Sequence, residues 1–318
     1  MVDTVLSGGW IIDGTRTPPY QADLCIQDGK IVAISPQWEG NCRTRMDVTG
    51  KIVSPGFIDI HTHSDTCPFS AVFPESKVAQ GITLEIVGNC GVSAVPILPS
   101  CQAEQTAYLR KISEIPVPEE AVRDASVQKY AAHVAQTGYP SHLGTLIGQG
   151  TLRAGIVGFQ DRPLTPSEME QMKFLLDDQL NQGALGLSLG LIYPPGSFSP
   201  TSELRELARV VQKHKKILAV HMRNEGPNIF QAVEEMLSIA EETGVHLHIS
   251  HLKLMGKAQW GQAPRLLERI EASRQRGAVV TCDQYPYTAT STILAALLPR
   301  RAYDGGSAAM LRRVSDPD

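Results

Sequence analysis

The sequence has no run of about 18 consecutive apolar residues, the length a helix needs to cross a bilayer. Its first fifteen residues, MVDTVLSGGWIIDGT, carry neither the basic start nor the long apolar stretch of a secretory signal. A soluble, cytoplasmic protein is therefore expected. Neither sign of charge dominates, since 29 Lys and Arg stand against 33 Asp and Glu for a net charge of -4. That balance offers no general attraction to phosphate backbones or anionic lipid, so neither nucleic acid nor membrane is expected as a partner. Cysteine is sparse too. Six in 318 residues, irregularly spaced, do not make a secreted disulfide scaffold, and a reduced Cys is a small buried hydrophobe unless chemistry claims it.

What is present is ordinary globular composition, 42% hydrophobic and 19% charged, in a chain long enough for one large core and a smaller module. Residues 1–54 read as short apolar runs broken by turns, with Asp28-Gly29 between ADLCIQ and KIVAIS as a hairpin signal. A small β module is expected there. From Pro55 apolar strands alternate with amphipathic helical stretches, the pattern of βα units around a parallel sheet. Seven strands are expected, at 57–61, 83–87, 143–148, 184–189, 217–221, 246–251 and 278–283. Helices such as SELRELARVVQKHKK and NIFQAVEEMLSIAEETG separate them, the second closing on Gly244.

Metal-type residues follow at least four of these strands. A doubly wound sheet concentrates its ligand site at one switch point, whereas a (β/α)8 TIM-type barrel collects site residues from many strand ends on one face. The expectation is an α/β fold, a barrel over residues 55–318 that is incomplete with seven strands visible. After Asp283 the remaining residues suffice for one helix and a tail. Without an eighth strand, strands one and seven would keep unpaired edges, which predicts a covering segment or self-association through the open barrel edge.

The candidate ligands sit at strand ends. GFIDIHTHSD ends an apolar strand in His61 and His63, and residues two apart on a strand point the same way. Taken alone the pair could equally be solvated loop histidines. His221 closes KKILAVH and His251 closes GVHLHISH, each ending an apolar run, and imidazole is the commonest zinc ligand. Alternation separates His246 and His248 from His251, so these two are expected to face helices or the bottom layer. His133, His142 and His214 are not expected to bind metal. Cys90 follows strand two in LEIVGNCGVSAVP, where Gly88 and Gly91 let the backbone bend. A thiolate is a strong zinc ligand; a nucleophilic Cys paired with a His is the alternative, although four strand-end histidines exceed what a nucleophile and base require.

In order along the chain, GFIDIHTHSD, GNCG, LSLGLIYPPGSFS, AVHMRNEG, HISHLKLMGK and DQYPYTATS closely resemble the N-acyl-D-amino-acid deacylases, or D-aminoacylases, of the amidohydrolase superfamily. The resemblance runs from about residue 5 to about residue 295. It implies zinc-dependent hydrolysis of the amide of an N-acyl-D-amino acid, giving a carboxylate and a free D-amino acid, with a small molecule as the partner. It further implies one tightly held zinc on Cys90, His221 and His251, a second, weaker metal position built by His61 and His63, and Cys90 as the bridging ligand. Substrate contact falls by resemblance to Lys253, Tyr285 and Ser291, and the N-terminal module becomes the N-terminal part of a β-sandwich.

Two departures from the superfamily matter. Many relatives bridge two metals with a modified lysine from the fourth strand; ALGLSLGLIY has none, which fits a thiolate bridge and disfavours dihydroorotase-like or hydantoinase-like chemistry. The family's strand-eight acid, its general base in a Ser-Asp-Gly setting, and a nearby substrate-binding arginine are not matched before Asp318. Asp316, in SDPD, has no strand leading into it, so the catalytic acid is left unassigned. The alternatives to the full activity are a catalytically impaired fragment that binds metal, or a related amidohydrolase with another amide substrate.

Overall fold

The computed structural model describes residues 1–70, 73, 75–110, 112, 113, 117, 123 and 125–316. The chain divides into two compact units, Met1–Phe57 and Ile58–Asp318, a division three residues later than the change of pattern at Pro55.

The first unit is a five-stranded sheet of β1 (Val2–Ile11), β2 (Tyr20–Gln27), β3 (Lys30–Ser35), β4 (Cys42–Asp47) and β5 (Ile52–Val53). β1 pairs antiparallel with β2 and parallel with β4 and β5, and β2 pairs antiparallel with β3. The β2–β3 turn is the Asp28-Gly29 pair, whose φ angles of 49° and 71° match the right-handed twist of a two-residue hairpin.

From the boundary onward the strands are β6 (Phe57–Asp59), β7 (Ile82–Val87), β8 (His142–Thr145), β9 (Ile147–Gly148), β10 (Gly186–Gly190), β11 (Ile217–His221), β12 (His246–Ile249) and β13 (Val280–Cys282). They pair in chain order as two sheets, β6-β7-β8 and β9-β10-β11-β12-β13. The registers from β7 to β8 and from β9 through β13 are parallel. The single strand expected at 143–148 is broken at Leu146: its first half pairs with β7 and its second with β10. Helices follow the strands: α1 (Ser76–Ala79), α2 (Gln102–Leu109), α3 (Val127–Thr137), α4 (Gln149–Ile156), α5 (Pro166–Asn181), α6 (Thr201–Lys213), α7 (Ile229–Thr243), α8 (Ala263–Gln275) and α9 (Gly306–Ser315).

The core follows from these patterns. Every residue of β10 is buried, as are Leu218, Ala219 and Val220 on β11, which is why these strands read as continuous apolar runs rather than alternating ones. α6 buries Leu204, Leu207, Ala208 and Val211, a stripe at three- and four-residue spacing. α7 ends on Gly244 in the left-handed conformation (φ 72°), as a helix C-cap requires. Among the described residues no helix is long and apolar enough to cross a membrane.

Candidate metal centre

Because the strands run parallel, the residues at their C-terminal ends converge. Cys90 is delivered by the Gly88–Gly91 loop after β7. Gly88, Cys90 and Gly91 have φ of 77°, 53° and 76°, a left-handed stretch that glycine adopts freely and cysteine rarely. Two buried polar groups pin this loop. Ser188 on β10 accepts the Gly91 amide at 3.0 Å and donates to the Gly88 carbonyl at 2.5 Å, and Asp65 accepts the Gly88 amide at 2.9 Å. Burial pushes the Asp65 carboxyl up to about 7. The loop also lies directly on β10: a Cβ at Gly190 would fall 2.0 Å from the Cys90 carbonyl oxygen.

Around the buried Cys90 thiol stand two imidazoles, with Sγ 3.3 Å from His61 Nε2 and 3.5 Å from His251 Nε2. His251 follows β12 and, like Cys90, has a positive φ, 38°. Its ring meets that of His221, the last residue of β11, with centroids 4.3 Å apart. His61, Cys90 and His251 bring ligand atoms within 4.8 Å of one another, and so do His221, Glu225 and His251. His63 has its ring 5.7 Å from that of His61 but belongs to neither group.

The buried imidazoles are arranged as cation ligands would be. Buried imidazole nitrogens are normally hydrogen-bonded. Yet neither ring nitrogen of His221, which is 6% exposed, has a partner among the described residues, nor does His63 Nδ1. Burial, then the field of His251, drives His221 well below its ordinary value, and burial with the field of His61 lowers His63 to about 3. Both rings are thus neutral, with lone pairs to give. The donor set of neutral imidazoles and one thiol suits zinc, which takes nitrogen and sulfur ligands; the residues present fit that ion.

Two carboxylates not singled out from the sequence complete the centre. Glu225 Oε1 accepts from Lys253 Nζ at 2.6 Å and lies 3.0 Å from His251 Nδ1 and 3.9 Å from His221 Nε2. Asp283, directly after β13, contacts His61 Nδ1 and His248 Nε2 through Oδ2 at 3.1 and 2.8 Å, and through Oδ1 accepts the His251 amide at 2.5 Å. Burial raises both acids, but the histidine contacts outweigh it. Glu225, with the fields of His221, His251 and Lys253 added, rests at about 2, and Asp283 lies well below the usual carboxylate range. The signals were in the sequence: Glu225 stands four residues after His221, and Asp283 ends a strand as the histidines do. His248, expected away from the centre, is one carboxylate removed from His61, and His246 Nε2 meets Thr281 Oγ1 at 2.9 Å. His214 pairs with Asp177 at 2.8 Å, and His133 stacks on Phe69.

A cavity of about 140 Å³ opens beside these ligands. Lys253, Tyr285 and Ser291 all line it, together with Tyr193 and an apolar wall of Ile192, Met255 and Leu297. The Tyr285 hydroxyl is buried without a partner among the described residues, while Tyr193 shares a 2.9 Å hydrogen bond with Thr292.

No family model matches the chain. It is 36% identical over 292 residues to the D-aminoacylase of Alcaligenes xylosoxydans xylosoxydans, across 92% of this chain and 59% of that protein. To the N-acyl-D-glutamate deacylase of the same organism it is also 36% identical, across 95% and 59%. By sequence it is similar to the D-aminoacylases over nearly its whole length. The fold agrees. A crystal structure of D-aminoacylase, described as defining a subset of amidohydrolases, superposes with a TM-score of 0.81 at 36% identity, over 91% of this chain and 60% of that one. The N-acyl-D-glutamate deacylase from Bordetella bronchiseptica, complexed with zinc and a phosphonate inhibitor, gives 0.83 at 37% identity, over 95% and 61%. The architecture is thus the α/β, TIM-barrel type of the amidohydrolases, and the chain spans about three-fifths of the length of these D-aminoacylase relatives.

Proposed function

We propose that this chain carries the zinc-binding part of a hydrolase that cleaves the amide of N-acyl-D-amino acids, releasing a carboxylate and a free D-amino acid. The observation that carries the reading is the buried His221 imidazole, neither of whose nitrogens has a hydrogen-bond partner among the described residues, against the ring of His251, whose Nε2 is 3.5 Å from Cys90 Sγ. The relatives support it, being D-aminoacylase and N-acyl-D-glutamate and N-acyl-D-aspartate deacylases. The parallel strands fit seven strands of a (β/α)8 barrel over residues 55–318, and residues 1–54 fit the N-terminal part of a β-sandwich.

In this reading Cys90, His221 and His251 hold one zinc, and His61 and His63 offer a second, weaker position. Bound there, the ion supplies Lewis acidity, acidifying a water nucleophile and polarising the acyl carbonyl. The rest is done by the chain. Lys253, its ammonium anchored by Glu225, attracts the substrate carboxylate, with the unpartnered Tyr285 hydroxyl as a second donor and Ser291 at the rim. Ile192, Met255 and Leu297 exclude water and favour an apolar side chain over an acidic one, because Lys253 is the one cationic side chain in the described lining. Glu225 and Asp283 are poor proton acceptors at neutral pH, held as they are by several donors each.

The zinc-loaded protein is expected to release amine from N-acetyl-D-leucine, more slowly from N-acetyl-D-glutamate, and not from N-acetyl-L-leucine. Equal rates on the two enantiomers of N-acetylleucine, or a preference for the glutamate, would contradict the reading.

A further inference from the structure

We propose that Glu225 and Asp283 are the positioning residues of this metal centre, each fixing through Nδ1 an imidazole whose Nε2 faces Cys90; the inference rests on the metal-binding reading above. A neutral imidazole has one N–H and one lone pair. To offer a cation its Nε2 lone pair, the ring must carry its proton on Nδ1, and that N–H needs an acceptor when buried. The two rings flanking the Cys90 thiol both meet the condition. His61 Nδ1 lies 3.1 Å from Asp283 Oδ2 and its Nε2 is 3.3 Å from Sγ. His251 Nδ1 lies 3.0 Å from Glu225 Oε1 and its Nε2 is 3.5 Å from Sγ.

At His251 the choice of tautomer is contested, because Lys253 Nζ stands 2.8 Å from the same Nδ1. An ammonium donating there would put the ring proton on Nε2 and remove the lone pair a cation needs. Glu225 resolves the competition. Its Oε1 is 2.6 Å from Lys253 Nζ, so the carboxylate accepts hydrogen bonds from the ammonium and from Nδ1–H together, and one residue sets both the metal-facing ring and the substrate-facing cation. Asp283 does more than hold His61. By accepting the His251 amide it stabilises the left-handed backbone that turns that ring toward Cys90, and it is itself braced by His248, whose Nδ1 rests on Thr281 at 2.8 Å. The C-terminal ends of β6, β12 and β13 are thereby tied to one carboxylate.

The test is zinc affinity by chelator competition, with the cobalt(II) spectrum as a report on thiolate ligation, after thermal melts confirm that each apoprotein is folded. Glu225→Ala and Asp283→Asn are expected to bind zinc about 10–100-fold more weakly while keeping the cobalt–thiolate band. Glu225→Gln, which keeps an acceptor oxygen, should recover part of the loss. Wild-type affinity in folded Glu225→Ala and Asp283→Asn overturns the inference. So does a far larger loss in Glu225→Ala with changed cobalt coordination, which would make Glu225 a ligand. A wild-type protein that binds no zinc defeats the metal reading itself, and the inference with it.

Discussion

Burial, followed by the fields of Asp283 and Glu225, pushes the Cys90 thiol well above its ordinary value, so the metal-free protein holds this residue protonated at neutral pH. A zinc ion that takes Cys90 as a ligand must displace that proton. Zinc affinity is therefore expected to rise with pH through the neutral range, by about tenfold per unit for one proton released. Titration calorimetry in buffers of different ionisation enthalpy measures the release directly, and a pH-independent affinity would show that the thiol is not a ligand. Much of this centre could be read from single residues. An imidazole ending an apolar strand has few inexpensive explanations, so His61, His221 and His251 stood out, and Cys90 did so through its flanking glycines. Glu225 and Asp283 did not, because a lone carboxylate beyond a strand is ordinarily a solvated one. Only the fold puts Glu225 against Lys253 and Asp283 against His61. The positive φ of Cys90 and His251 was equally hidden, since nothing in either residue type announces a left-handed backbone.

Two elements decide how firmly the centre is held. The GNCG loop rests on β10 with no space between: a side chain at Gly190 would collide with the Cys90 carbonyl. Gly190→Ala is expected to lower the melting temperature and the zinc retained together. A variant with normal zinc content would mean that the loop can move away without cost to the site. At the start of α5, Thr165 and Glu168 form a capping box, and Arg162 grips Glu168 with two 2.7 Å hydrogen bonds. Arg162, then the Thr165 amide, holds Glu168 at about 2, below its ordinary 4.5. A carboxylate with a depressed native value stabilises the fold above its unfolded value and loses that contribution as pH falls through the native one. Glu168→Gln should therefore lower the urea midpoint at pH 7 and differ little from wild type near pH 2; an equal difference at both would exclude this ion pair as the cause. Strand positions were legible because buried parallel strands are continuous apolar runs. The break at Leu146 was not, since the residues on either side are as apolar as an unbroken strand requires and only their partners, β7 and β10, separate the halves.

At the scale of the molecule, consecutive parallel strands bring side chains far apart in sequence to one cluster: His61, Cys90, His221, His251 and Asp283 come from the ends of five strands. The change of pattern at Pro55 is legible because hairpin turns and βα repeats leave different signatures. What the sequence could not convey is that, among the described residues, both ring nitrogens of the buried His221 and Nδ1 of His63 lack a hydrogen-bond partner, as lone pairs kept for a metal would. The direct test is zinc content per chain after extensive dialysis, for the wild-type protein and for Cys90→Ala. One tightly held zinc in the wild type, absent from the variant, is the expected result; no zinc in either, or undiminished zinc in Cys90→Ala, would contradict a metal centre built on Cys90.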